Sequence, residues 1–289
     1  MMRFRKRYLL LALIGAGLWV TCRLPALNFR TPDQALLRQL EQAGQREVHT
    51  GTFEAEGHHI HYVRAGADTL PLVMVVHGSP GAASAAMPFL KDTALTRRAQ
   101  VVAPDRPGFG WSDFGRAEPS LQRQAAALAP LLRDTPRPRI LVGHSYGGPV
   151  IARIAMDYPE LVDGLVIVAG SLSPELEPRE WWRAPLDWPL VRSLIPPAWC
   201  VSNEEIAALY DELRAMEPLW TRVRCPITVI QGQKDRLVPP GNAHYVQRMA
   251  THSPRVQLRL LPDGNHFIFW TRYALVRQAV IELLEPIEG

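Results

Sequence analysis

The stretch with the clearest chemical potential in this 289-residue chain is Gly143-His144-Ser145-Tyr146-Gly147. A serine hydroxyl attacks a carbonyl well only when a base takes its proton and a carboxylate orients that base. Glycines two positions before and after Ser145 lack the Cβ atoms that would clash where a strand turns sharply into a helix. Ile140, Leu141 and Val142 supply the apolar strand ahead of the turn, and Val150, Ile151, Ile154 and Ala155 the helical pattern behind it. Two glycines and a serine at this spacing arise by chance in about one chain in ten, so the other partners carry the weight. Asp235 follows one strand pattern (227–231) and His266 follows another (256–261). Asp263 is the rival carboxylate, but three residues before His266 its type suits a turn. His244, inside a helical pattern, is the rival base. His77 and His144 read as supports of their turns, with His144 facing away from the nucleophile.

These residues need a scaffold that collects them. Strand patterns at 72–76, 100–103, 140–142, 165–169, 227–231 and 256–261 alternate with helical patterns, including 121–132, 242–249 and 273–284. That alternation predicts an α/β fold, a mostly parallel central sheet flanked by helices on both faces. Such sheets bind ligands off the carboxyl ends of their strands, and Gly78, Asp105, Ser145, Asp235 and His266 all follow strands closely. A hairpin is expected over 48–54 and 58–64; of its cluster His58, His59 and His61, the last two would share a strand face, and the cluster reads as a solvated hairpin face. An ion pair between Asp105 and Arg106 is expected to fix the loop after its strand. Residues 171–224 form an insertion too long for a simple crossover. It is rich in proline and holds Trp181, Trp182, Trp188, Trp199 and Trp220. It reads as a helical cap whose aromatic residues either line an apolar pocket or form the cap's own core.

The formal charge is +4, and the excess belongs to Arg3, Arg5, Lys6 and Arg7. The remainder balances its basic and acidic residues, and nothing in it reads as a nucleic-acid footprint, which needs clustered charge. After the basic residues comes an apolar run, 8–20, the pattern of an export signal. Residues 1–27 therefore read as a signal anchor or signal peptide, with lipidation at Cys22 as a further possibility, and 28–289 as one α/β domain. An anchor would place that domain on the exported side of a membrane. Cys22, Cys200 and Cys225 have no metal-ligand spacing; Cys200 and Cys225 either pair or remain two thiols.

His77-Gly78-Ser79-Pro80-Gly81, the segment 105–112 (Asp-Arg-Pro-Gly-Phe-Gly-Trp-Ser), Gly143-His144-Ser145-Tyr146-Gly147-Gly148, Gly232-Gln233-Lys234-Asp235 and Gly264-Asn265-His266-Phe267 occur in that order. Over about residues 48–284 the chain resembles the α/β-hydrolase superfamily, capped and esterase-like. The resemblance implies a triad of Ser145, Asp235 and His266, an oxyanion hole from the backbone N–H groups of Ser79 and Tyr146, a small-molecule substrate and no cofactor. Serine at the elbow separates the chain from haloalkane dehalogenases and epoxide hydrolases, relatives with aspartate there. Ser79 stands where the proline aminopeptidase branch shows a second glycine. The implied reaction is acyl transfer from an apolar carboxylic ester to water. The alternatives are carbon–carbon bond hydrolysis of diketone-like substrates, cofactor-free perhydrolysis, and a non-catalytic membrane-tethered binding domain.

Overall fold

A computed structural model describes residues 24–285. The leader, 1–23, lies outside the described residues, and with it the expected anchor and the Cys22 question. Among the described residues no helix is long and apolar enough to cross a membrane.

Eight strands form one sheet: β1 (Val48–Ala55), β2 (His58–Ala65), β3 (Leu72–Val76), β4 (Gln100–Pro104), β5 (Arg139–His144), β6 (Gly164–Val168), β7 (Ile227–Gly232) and β8 (Val256–Leu261). Their order is β1-β2-β4-β3-β5-β6-β7-β8. The β1–β2 and β2–β4 pairs are antiparallel and all others parallel. The expected α/β architecture is therefore present, and every expected strand lies within a few residues of its predicted place.

Strands β3 to β7 are short apolar runs because both of their faces are covered. Met74, Leu141, Ile167 and Val229 point into one core. There they meet α2 (Leu121–Leu128) and α3 (Gly147–Asp157). Val73, Val75, Val142 and Val168 point into the other, against α1 (Asp33–Gln42) and the C-terminal helix Tyr273–Leu284. The period of two assigns alternate residues to opposite faces.

The chain leaves β3 for β4 on one side, then returns past β3 to β5 on the other. Crossovers that part in opposite directions open a crevice at the carboxyl ends of β3 and β5. Gly78–Ser79 follows β3 and Ser145 follows β5, so the topology sets both loops at that crevice.

Between β6 and β7 the insertion is helical. It contains 3-10 turns, a short helix at Pro189–Arg192, and the long α4 (Pro197–Met216). Leu209, Leu213, Met216 and Trp220 pack into the main core, so the cap is seated on the body. No disulfide joins Cys200 to Cys225. Helix α5 (Gly241–Met249) and the C-terminal helix α6 (Tyr273–Leu284) complete the frame.

Candidate active site

Ser145 sits at the strand-to-helix turn with φ +54°, a left-handed conformation that costs a non-glycine residue free energy. Its N–H donates to the Val168 carbonyl at 3.0 Å, and its own carbonyl accepts from Gly148 N–H at 2.9 Å. The flanking glycines are sterically required. A Cβ on Gly143 would stand 2.4 Å from the Gly147 carbonyl oxygen, and one on Gly147 would stand 2.3 Å from that of Val76.

The loop after β3 comes up against this turn: a Cβ on Gly78 would lie 3.0 Å from the Ser145 Cβ. His77 fixes the loop as expected. Its Nε2 accepts from Arg106 N–H at 3.0 Å, which leaves Nδ1 to donate to the Gly78 carbonyl at 2.7 Å. Full burial, followed by the charge of Arg106, holds the His77 pKa well below its ordinary value, so the ring is neutral. Among the described residues, the backbone N–H groups of Ser79 and Tyr146 make no hydrogen bond to a protein acceptor. Both are therefore free backbone donors in the loops that meet at Ser145. The Ser79 hydroxyl is likewise buried without a partner.

The loops after β7 and β8 meet at two glycines. A Cβ on Gly232 would lie 2.5 Å from the Gly264 carbonyl carbon, and Lys234 N–H donates to the Gly264 carbonyl at 2.9 Å. This approach brings His266 Nδ1 to 2.9 Å from Asp235 Oδ2. Asp235 Oδ1 accepts from the N–H groups of Leu237 and Val238, each at 2.9 Å. Gln231 Nε2 reaches Oδ2 at 3.3 Å. Burial alone would raise the Asp235 pKa; the hydrogen bonds from His266 and the two backbone N–H groups outweigh it and hold the carboxyl below its ordinary range. Asp235 is thus an anion that accepts from His266 Nδ1–H, which leaves Nε2 as the ring nitrogen not engaged by the carboxylate.

Ser145 and His266 line one cavity of 470 Å³, walled mainly by Phe29, Trp199, Leu237, Phe267 and Trp270. A neighbouring cavity of 570 Å³ beneath the cap shares Ser79, Pro80 and Trp199 with it, and adds Leu27, Trp182, Leu186 and Ile206. Among the described residues no cluster of His, Cys, Asp and Glu could hold a metal ion.

Several expectations need correction. Asp105 and Arg106 do not pair with each other. Asp105 accepts from His61 Nδ1 at 2.8 Å and from the N–H groups of Ala83 and Trp111 at 2.6 and 2.9 Å. Arg106 is fully buried, donates to the carbonyls of His77 and Gly78, and forms an ion pair with Glu205 on α4. His58 and His61 are buried and only His59 is solvated, because α1 and the loop after β4 cover that end of the hairpin. His144 does not turn away. It lines the cavity, its ring centroid is 4.9 Å from that of His266, and its Nε2 donates to the His266 carbonyl at 3.1 Å. Asp263 is exposed and salt-bridged to Lys234 at 2.8 Å, and His244 stands exposed on α5; neither approaches the role of rival. The cap tryptophans divide: Trp220 is core, Trp182 and Trp199 line the cavities, and Trp181 and Trp188 do neither.

Some site residues carried no legible signal. Phe29 and Trp270 reach the cavity from opposite ends of the chain, and Glu205 looks like an ordinary helix-surface carboxylate in sequence. Gln231 did leave a trace, as a polar residue ending a fully buried strand.

The model of the alpha/beta hydrolase family matches residues 72–279. An uncharacterized protein of Mycobacterium tuberculosis is 26% identical over 67% of this chain and 71% of its own. Haloalkane dehalogenase 2 of Mycobacterium bovis is 24% identical over 80% of this chain and 93% of its own. Among solved structures, a membrane phospholipase A described as a bacterial virulence factor superposes with a TM-score of 0.64 and 22% identity. That match covers 98% of this chain and 99% of the other, a likeness of fold. The family match spans β3 through most of α6 and includes every loop at the crevice: the chain belongs to the alpha/beta hydrolase family and is a hydrolase.

Proposed function

We propose that the protein is a serine hydrolase, a carboxylesterase for apolar small-molecule or lipid-like esters, with Ser145 as nucleophile, His266 as base and Asp235 as the orienting acid. One observation carries this reading: the His266–Asp235 hydrogen bond of 2.9 Å stands at the wall of an apolar cavity that Ser145 also lines. Ser145 Oγ adds to the ester carbonyl while His266 Nε2 accepts its proton. The oxyanion is held by Ser79 and Tyr146 N–H. His266 then protonates the departing alkoxide, leaving an acyl-serine, and in the second half it deprotonates a water that releases the acid. Each oxyanion donor is typically worth about 2.7–4 kcal/mol in the transition state. The apolar leader, 8–20, supports a membrane tether with this domain on the exported side.

The test is turnover of p-nitrophenyl esters from acetyl to palmitoyl by the full chain. Ser145→Ala is expected to lower kcat by at least about 10⁴-fold with unchanged thermal unfolding. Asp235→Asn should cost about 10⁴-fold, while Asp263→Asn, at an exposed salt bridge, should stay within about twofold. Full activity of Ser145→Ala, or the reverse ranking of the two aspartates, would overturn the assignment.

A further inference from the structure

Twelve bulky apolar side chains are exposed among the described residues, and their distribution is far from even. Six belong to the cap between Trp181 and Trp199, two to the entering chain (Leu24 and Leu27), and three to the mouth of the Ser145 cavity (Leu237, Phe267 and Trp270). The twelfth, Trp111, stacks on Arg30 and bonds the Thr31 carbonyl beside the entering chain. None lies on the hairpin, on β8, or on α2, α5 or α6. Exposed apolar side chains confined to the cap, the entering chain with Trp111, and the cavity mouth mark these segments as interaction surface.

The entering chain says what covers it. Trp199 Nε1 donates to the Leu27 carbonyl at 3.1 Å, and Leu27 shares a cavity wall with Trp182 and Trp199. Phe29 continues into the Ser145 cavity. The apolar leader run ends at Val20, four residues before Leu24, a reach of at most about 14 Å. A leader held in a bilayer therefore keeps the cap and the cavity mouth close to the lipid surface. The exposed residues suit that place: tryptophan, with an apolar body and one N–H, concentrates at the membrane–water interface. The cap's charges are largely paired within it, Arg183 with Glu180 and Arg192 with Glu204 and Asp187, which lowers the cost of approaching lipid.

We propose that the tryptophan-bearing cap and the adjoining cavity mouth dock on the surface of a lipid bilayer, so that the site draws its ester from the lipid phase. The proposal rests on the esterase reading and on the leader as a membrane tether. Trp181 and Trp188 are 85% and 64% exposed and line neither cavity, so they report docking without touching the chemistry.

The test uses the full chain in dioleoylphosphatidylcholine vesicles carrying dibrominated phosphatidylcholine, in a Trp19→Phe background that removes the leader's own indole. Brominated lipid is expected to quench tryptophan emission, and Trp181→Ser with Trp188→Ser is expected to remove about half of that quenching. In parallel, the double substitution should slow hydrolysis of a vesicle-embedded ester about tenfold, roughly 1.4 kcal/mol, with p-nitrophenyl butyrate turnover unchanged. Equal quenching with and without the two tryptophans overturns the proposal. So does failure of the full chain to float with vesicles, which removes the tether. A dimer in detergent that the two substitutions split, without lipid quenching, assigns the face to a second copy and overturns it as well. Quenching that depends on the two tryptophans, with neither ester turned over, upholds docking and refutes the esterase reading instead.

Discussion

His144 lines the Ser145 cavity and also holds the backbone of the loop that carries His266. Burial, followed by the nearby charge of His266, lowers its pKa from 6.5 to about 4. A neutral ring with its proton on Nε2 then holds the His266 carbonyl. The consequence for stability has a definite sign. Between pH 6.5 and about 4 the unfolded chain binds a proton that the folded chain refuses, so stability falls on acidification through this window. His144→Gln keeps a donor for the carbonyl and removes the titration. Between about pH 7 and 5 this variant is expected to lose roughly 2 kcal/mol less stability than the parent, read from urea unfolding at each pH. Identical losses would mean that His144 does not titrate in this way. His77 pushes in the same direction and remains in both proteins, so its contribution cancels from the difference.

At the scale of elements, Arg106 joins parts that are far apart in the chain. It carries the carbonyls of His77 and Gly78, which precede the Ser79 N–H, and it meets Glu205 of α4 in a fully buried ion pair. Gln124 of α2 donates to the same carboxylate at 2.9 Å. The loop after β3 and the cap helix are thereby fastened to one guanidinium. Removing one charge strands the other: Glu205→Leu is expected to destabilise the protein by about 3–5 kcal/mol. Arg106→Met combined with Glu205→Leu should unfold at higher urea than either single variant, because no unpaired charge is left buried. A double variant as unstable as the sum of the singles would show that the two residues do not act as a pair. The elements themselves were well marked in the chain. β3 to β7 announce themselves as apolar runs bounded by turn residues, since strands covered on both faces have no polar alternation to obscure them. The β1–β2 hairpin was equally plain, but the burial of His58 and His61 was not, because Glu118 and Asp105 come from later loops.

For the molecule as a whole, the cap and the entering chain decide the shape of the site. Trp199 stands between the two cavities, and its indole is held by the Leu27 carbonyl. Trp199→Ala should merge the spaces and move the preferred p-nitrophenyl ester toward longer acyl chains, each further buried methylene contributing about 0.8 kcal/mol. An unchanged chain-length profile would show that the second cavity takes no part in binding.

In the amino-acid sequence alone the α/β fold class, the order of the strands along the chain, and Ser145, Asp235 and His266 as candidate reactive residues were legible; Ser79 and Tyr146 as backbone donors came only from the family resemblance. The legible features each rest on local chemistry: glycines where a Cβ cannot fit at 143 and 147, apolar runs of strand length, and reactive residues just past strand ends. Only the tertiary structure decided the pairing of Arg106 with Glu205, the turning of His144 toward His266, and the arrival of Phe29, Trp199 and Trp270 at one cavity. It also divided the cap tryptophans among core, cavity and surface. Those outcomes depend on contacts between residues tens to hundreds of positions apart, and a side chain's type does not state which distant element will bury it or leave it exposed.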